Sequence, residues 1–77
     1  MVRYNLRYLI EKKSIKDGKK ITYKDIESAT GIGYFTLSRI NSVVNYNLHV
    51  DHLEKLCNYF SCTPNDLISI YPDEKKM

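Results

Sequence analysis

The sequence predicts an all-α fold: one compact domain of five short helices over residues 1–72, followed by a flexible tail at 73–77. Three observations lead there. The chain has 77 residues, 43% of them hydrophobic, which is enough for one thin core and no second domain. Apolar residues recur at helical spacing in several segments. Two short runs, TYKD at 22–25 and TPND at 63–66, have the form of a capping box, which opens a helix.

Residues 2–13 read as the first helix, with Val2, Leu6, Leu9 and Ile10 at helical spacing. The segment 14–21, SIKDGKKI, reads as a basic loop turning at Asp17-Gly18. A hairpin on that Asp-Gly pair is the alternative, but Ile15 and Ile21 do not fall opposite each other in its register. Helix two covers 23–30. Thr22 is its N-cap and Asp25 the partner three residues on. Ile26, with Ala29 or Thr30, faces inward, and Gly31 stops the helix in a left-handed conformation. Ile32 plugs the turn. Gly33 opens helix three, 34–41, whose inward stripe is Leu37 and Ile40. The segment 42–49 reads as a loop. Helix four covers 50–60, with Asn47 or His49 as its cap and Leu53, Leu56, Cys57 and Phe60 as its stripe. Thr63, Pro64 and Asp66 then start helix five, 64–70, which carries Leu67, Ile68 and Ile70 and ends at Pro72.

Two short helices joined by a Gly-centred turn make a helix-turn-helix, here helices two and three. Charge is concentrated with them. Residues 1–40 hold nine Lys/Arg against four acids, and residues 41–77 three against five. A basic half that coincides with a helix-turn-helix is the footprint expected of a DNA binder; a solvated lysine face is the bland alternative.

The run IESATGIGYFTLSRI (26–40) and the closing stretch LEKLCNYFSCTPNDLISIYPD (53–73) resemble the lambda-repressor-like helix-turn-helix family, of Cro and phage-repressor (XRE) type. The closing stretch is similar to that of its small single-domain regulators. The resemblance covers residues 2–72. It departs at Tyr23, where the family usually carries a phosphate-bracing Gln, at Glu27, where it favours Ala, and after helix three, where its usual Gly is missing.

The resemblance implies a transcriptional regulator of bacterial or phage type that reads double-stranded DNA through the major groove with helix three. It also implies a homodimer on a palindromic operator, and the apolar C-terminal residues Leu67, Ile70 and Tyr71 are the expected dimer surface. Tyr34, Phe35, Thr36 and Arg39 fall where such a helix meets base edges. Arg39 suits guanine O6 and N7, and Phe35 a thymine methyl. Tyr34 is placed for a base or a phosphate, and Thr36 and Ser38 for hydrogen bonds to either. Thr22, Tyr23 and Lys24 lie at the helix-two N-terminus, where free N–H groups favour an anion. Ser42 and Asn45 are further phosphate candidates. Other roles compete: Phe35 in the core under helix four, Arg39 paired with Asp51, or the aromatics as a protein-binding patch, as in an antitoxin-like partner binder.

Other classes find less support. No Gly-rich phosphate loop, carboxylate pair or nucleophile with its base is visible, so no enzyme and no cofactor are expected. There is little room for a small-molecule pocket. Cys57 shares an apolar stripe, and the face holding His49 and His52 is rotated from it, so no metal site is expected. No apolar run approaches the roughly 20 residues of a membrane span. The N-terminus, MVRYNLRYLIEKK, is too charged for a secretory signal. A cytoplasmic protein with reduced thiols is therefore expected.

Overall fold

The computed structural model describes residues 1–72, and the tail expected at 73–77 lies outside them. A short strand, β1 (Val2–Tyr4), precedes α1 (Leu6–Asp17). Next come α2 (Tyr23–Thr30), α3 (Tyr34–Ser42), α4 (Val50–Phe60) and α5 (Pro64–Leu67). A second strand, β2 (Ile68–Ile70), closes the described chain. The five helices are those expected from the sequence, and the small sheet is an addition.

That sheet corrects two boundaries. Val2 is not in a helix; β1 pairs antiparallel with β2, Val2 opposite Ile70, Arg3 opposite Ser69 and Tyr4 opposite Ile68. Helix five ends at Leu67 rather than 70, because Ile68 turns extended (φ −111°, ψ 130°) to enter the pairing. Met1 and Tyr71 exchange both main-chain bonds beyond the strands, at 2.9 and 2.8 Å. Asn5 continues the ladder, its N–H donating to Leu67 O at 2.7 Å.

The expected loop at 14–21 is also shorter. α1 runs on to Asp17, where Lys13 and Asp17 pair at 3.2 Å across one turn. Gly18 then ends the helix in the left-handed region at φ 69°. Neither loop nor hairpin forms at Ile15, which is helical and 83% exposed. Ser14 explains how the connection is held. Its hydroxyl donates to Ile10 O at 2.7 Å and accepts Ile21 N–H at 3.0 Å, which brings Ile21 into the core.

Among the described residues the core is aliphatic: Leu6, Leu9, Ile21, Ile26, Ile32, Leu37, Ile40, Leu56 and Leu67. It lies where α1, α2, α3 and α4 converge, closed by α5. Leu67 is fully buried, so it leaves the expected dimer surface, while Ile70 (75% exposed) and Tyr71 (47%) remain on it. Ala29 is exposed and Thr30 half-buried, so Thr30 is the inward member of that pair. His49, not Asn47, caps α4, and it does so without a side-chain bond.

Candidate nucleic-acid interface

The turn between α2 and α3 is built from local chemistry. Thr22 Oγ1 accepts Asp25 N–H, and Asp25 Oδ2 accepts Thr22 N–H at 2.9 Å, so both halves of the capping box close. The Thr22 backbone N–H, and then its hydroxyl, hold the Asp25 carboxyl below its ordinary value. At the other end Gly31 takes φ 80° and its N–H donates to Glu27 O at 2.8 Å. Thr30 Oγ1 receives Ile32 N–H at 3.2 Å, and Ile32 is buried as the plug. α3 therefore starts at Gly33 with its direction set by the α2 cap and the Ile32 anchor.

Periodicity then divides α3. Leu37 and Ile40 are buried at 0% and 1%. At about 100° per residue, Tyr34, Phe35, Ser38, Arg39 and Ser42 share an arc of about 140° on the other side. That arc contains no acid. Phe35 is 76% exposed, which excludes the core role weighed for it. Arg39 is exposed, and the side-chain ion pairs of the described residues, Arg7–Glu11 and Lys13–Asp17, do not include it. Its expected rival partner, Asp51, does not hold it. Thr36 falls outside the arc, half-buried beside Ile40.

Three rings link the two helices. Tyr23 meets Tyr34 edge-on at 5.3 Å, and Tyr34 meets Phe35 edge-on at 5.8 Å. Tyr23 is half-buried and packs on the core, so it braces Tyr34 from below. An edge-to-face chain of this kind stabilises each ring in one pose. Lys24 is exposed on the first turn of α2, with Lys19 and Lys20 exposed just before it. Tyr23 thus stands at one edge of the α3 face, with Thr22 and Lys24 exposed on either side of it in sequence.

α3 runs one residue past its expected end, so Ser42 belongs to the helix rather than to the loop, and the side chains here differ from expectation in what they do. The Ser42 hydroxyl donates to Ser38 O at 2.8 Å, so its single proton is engaged within the helix. Asn45 sits in the left-handed region (φ 60°). Its N–H donates to Val2 O at 2.8 Å and its Oδ1 accepts Val2 N–H at 2.7 Å. Asn45 therefore clamps the loop to β1 and has its Nδ2 group left for a ligand. Tyr4 adds a second tie, its hydroxyl donating to Tyr46 O at 2.7 Å. β1 brings further positive charge into the region. Arg3 of β1 and Arg7 of α1 line an open groove with Asn41 at the end of α3 and with Glu11, which lies 3.8 Å from Arg7, so Arg3 is the unpaired charge there. The two arginines were visible in the sequence only as charge. Reading 2–13 as one helix hid their place beside α3.

Residues 5–73 match the family model of the Cro/C1-type HTH DNA-binding domain. The chain belongs to that family of DNA-binding domains. No curated protein and no solved structure gives a significant match. Among the described residues no group of three or more His, Cys, Asp or Glu is placed to hold a metal. None of the described helices is long and apolar enough to cross a membrane.

Proposed function

We propose that this protein is a sequence-specific regulator of transcription, of bacterial or phage type, that reads the major groove of double-stranded DNA with α3. The carrying observation is the acid-free arc of Tyr34, Phe35, Arg39 and Ser42, all exposed, with Ser38 half-buried among them, opposite the buried Leu37 and Ile40. In this reading α2 crosses the backbone with its N-terminus on a phosphate, as helix-turn-helix domains dock. Thr22 and Lys24 assist there, and Tyr23 holds Tyr34 in place. Arg39 reads a guanine and Phe35 a thymine methyl. Thr36 and Ser38 are secondary contacts. Ser42 reaches a phosphate only by leaving Ser38, and Asn45 contributes its Nδ2 alone. Arg3 and Arg7 join Lys19 and Lys20 as flanking phosphate contacts.

The operator is palindromic in this reading and the protein binds it as a homodimer in the cytoplasm. Ile70 and Tyr71, exposed at the end of β2, supply the apolar contact between copies. The reading assigns no catalytic step, no cofactor and no small-molecule effector.

Selection of bound sequences from random duplex DNA tests the proposal. Enrichment of a palindrome supports both function and symmetry; enrichment of a single half-site leaves α3 as reader and removes the dimer. One observation favours a second reading. The Tyr23–Tyr34–Phe35 chain leaves a large apolar ring exposed, which also fits a partner protein. Recovery of no DNA motif would bring that reading forward.

A further inference from the structure

α4 ends in a motif that forces two particular side chains together. Ser61 takes the left-handed conformation at φ 54°. The Ser61 N–H donates to Asn58 O at 3.4 Å, and the Cys62 N–H donates to Cys57 O at 3.0 Å. These crossed bonds define a Schellman ending, in which the side chains five residues apart meet across the turn. Ordinarily that contact is between two apolar groups. Here both are cysteines, both free and half-buried. Cys62 also borders a cleft of about 210 Å³, which Tyr8, Lys12 and Lys16 of α1 line on the other side. The cleft gives a small solute a route to this turn, where both cysteines are only half-buried.

We propose that Cys57 and Cys62 form a modification site, a dithiol that small peroxides convert reversibly to a disulfide across the C-terminal end of α4. The backbone bonds already hold the two residues side by side across the turn, so the new bond joins neighbours rather than distant parts of the fold. The peroxide is the oxidant. The Cys57 sulfur attacks one peroxide oxygen, the O–O bond breaks, and Cys57 becomes a sulfenic acid while its proton leaves with the departing oxygen. The Cys62 sulfur then attacks Cys57 sulfur. The S–S bond forms, the S–O bond breaks, and the hydroxyl leaves as water with the Cys62 proton. Two thiols have lost two electrons and two protons, and the peroxide has gained them. A dithiol reductant reverses the change by exchange. Burial, and after it the Cys57 sulfur, push the Cys62 thiol up to about 11. Cys62 thus keeps its proton at neutral pH, which slows its attack, and the second step accelerates as pH rises.

Hydrogen peroxide added to the native protein tests the site, with free thiols counted by maleimide labelling, intact mass measured and the chain run on a non-reducing gel. The expected result is joint loss of both thiols, a mass lower by two hydrogen atoms, no cross-linking between chains, and full recovery with dithiothreitol. Cys62→Ser is expected to stop at a sulfenic acid on Cys57 that dimedone traps. Survival of both thiols at a peroxide dose that oxidises glutathione in the same tube would overturn the proposal. So would chains linked to one another, or wild-type protein driven to sulfinic acid with no disulfide. If Cys62→Ser does not fold, the wild-type thiol count and mass decide alone.

Discussion

At the scale of single residues, Arg39 and Phe35 share exposure on the α3 face but carry different chemistry. Arg39 brings a charge and a bidentate fork, and Phe35 an uncharged apolar edge. Arg39→Ala is therefore expected to cost about 1–3 kcal/mol on the preferred site and to relax selection at one base pair. Affinity for random DNA should change far less; competition binding with the two DNAs measures both. Phe35 separates the two readings of the face. If it touches thymine methyls, replacing thymine by uracil in the preferred site should weaken wild-type binding and leave Phe35→Ala binding unchanged. These side chains were legible in the sequence because helical period alone sets them opposite Leu37 and Ile40. Ser42 and Asn45 were not. Their bonds, to Ser38 O and to Val2, depend on backbone groups that no spacing rule points to.

At the scale of elements, the parts with local signals were legible and the parts made by distant pairing were not. α2 runs from Tyr23 to Thr30 as its capping box and Gly31 require. α4 runs from Val50 to Phe60 as its apolar stripe requires. β1 and β2 are three residues each and too short for alternation to show. Val2 also happens to stand at helical spacing from Leu6, and Ile68 and Ile70 continue the apolar run after Leu67, so both strands mimic helix in sequence. The element boundaries make two tests. A Cβ at Gly31 would meet nothing within 4 Å, but the backbone there is at φ 80°. Gly31→Val should therefore destabilise through backbone strain alone, by at least about 1–2 kcal/mol. Leu37→Ala, which crowds nothing and empties a fully buried site, should cost about 2–5 kcal/mol. Urea denaturation reads both. A third test is pH. Asp25 is held below 3.8 by the Thr22 N–H and hydroxyl. A carboxyl lowered on folding contributes stability that is present above its ordinary value and lost as pH falls through the lower folded one. Stability should fall below about pH 4, and Asp25→Asn should flatten that fall.

At the scale of the whole molecule, the basic residues are spread over several elements: Arg3 on β1, Arg7 on α1, Lys19 and Lys20 before α2, and Lys24 upon it. Binding to DNA through such a surface should weaken steeply with salt, log K falling by about 0.9 per phosphate neutralised for each unit of log salt. Lys24→Ala should lower affinity for all sequences alike and reduce that slope by about 1. Salt-independent association would point to a protein partner instead. Dimerisation has its own readout. Ile70→Lys places a charge on the exposed end of β2 without touching the buried Leu67. Sedimentation should show the variant shifted to monomer, with half-site binding retained and palindrome binding weakened.

The pairing of β1 with β2 also has a mechanical consequence. The strands are antiparallel, so Met1 and Tyr71 lie at the same end of the ladder. A force that draws residue 1 away from residue 71 acts across the strands rather than along them. It loads the outermost pair of bonds first, then the Arg3–Ser69 pair, then the Asn5–Leu67 bond. The seam opens like a zipper, one rung at a time, and resists far less than the same bonds sheared together. Val2 and Tyr4 also hold the loop between α3 and α4, through Asn45 and the Tyr46 carbonyl, so the load reaches the helical body as soon as the first rung has parted.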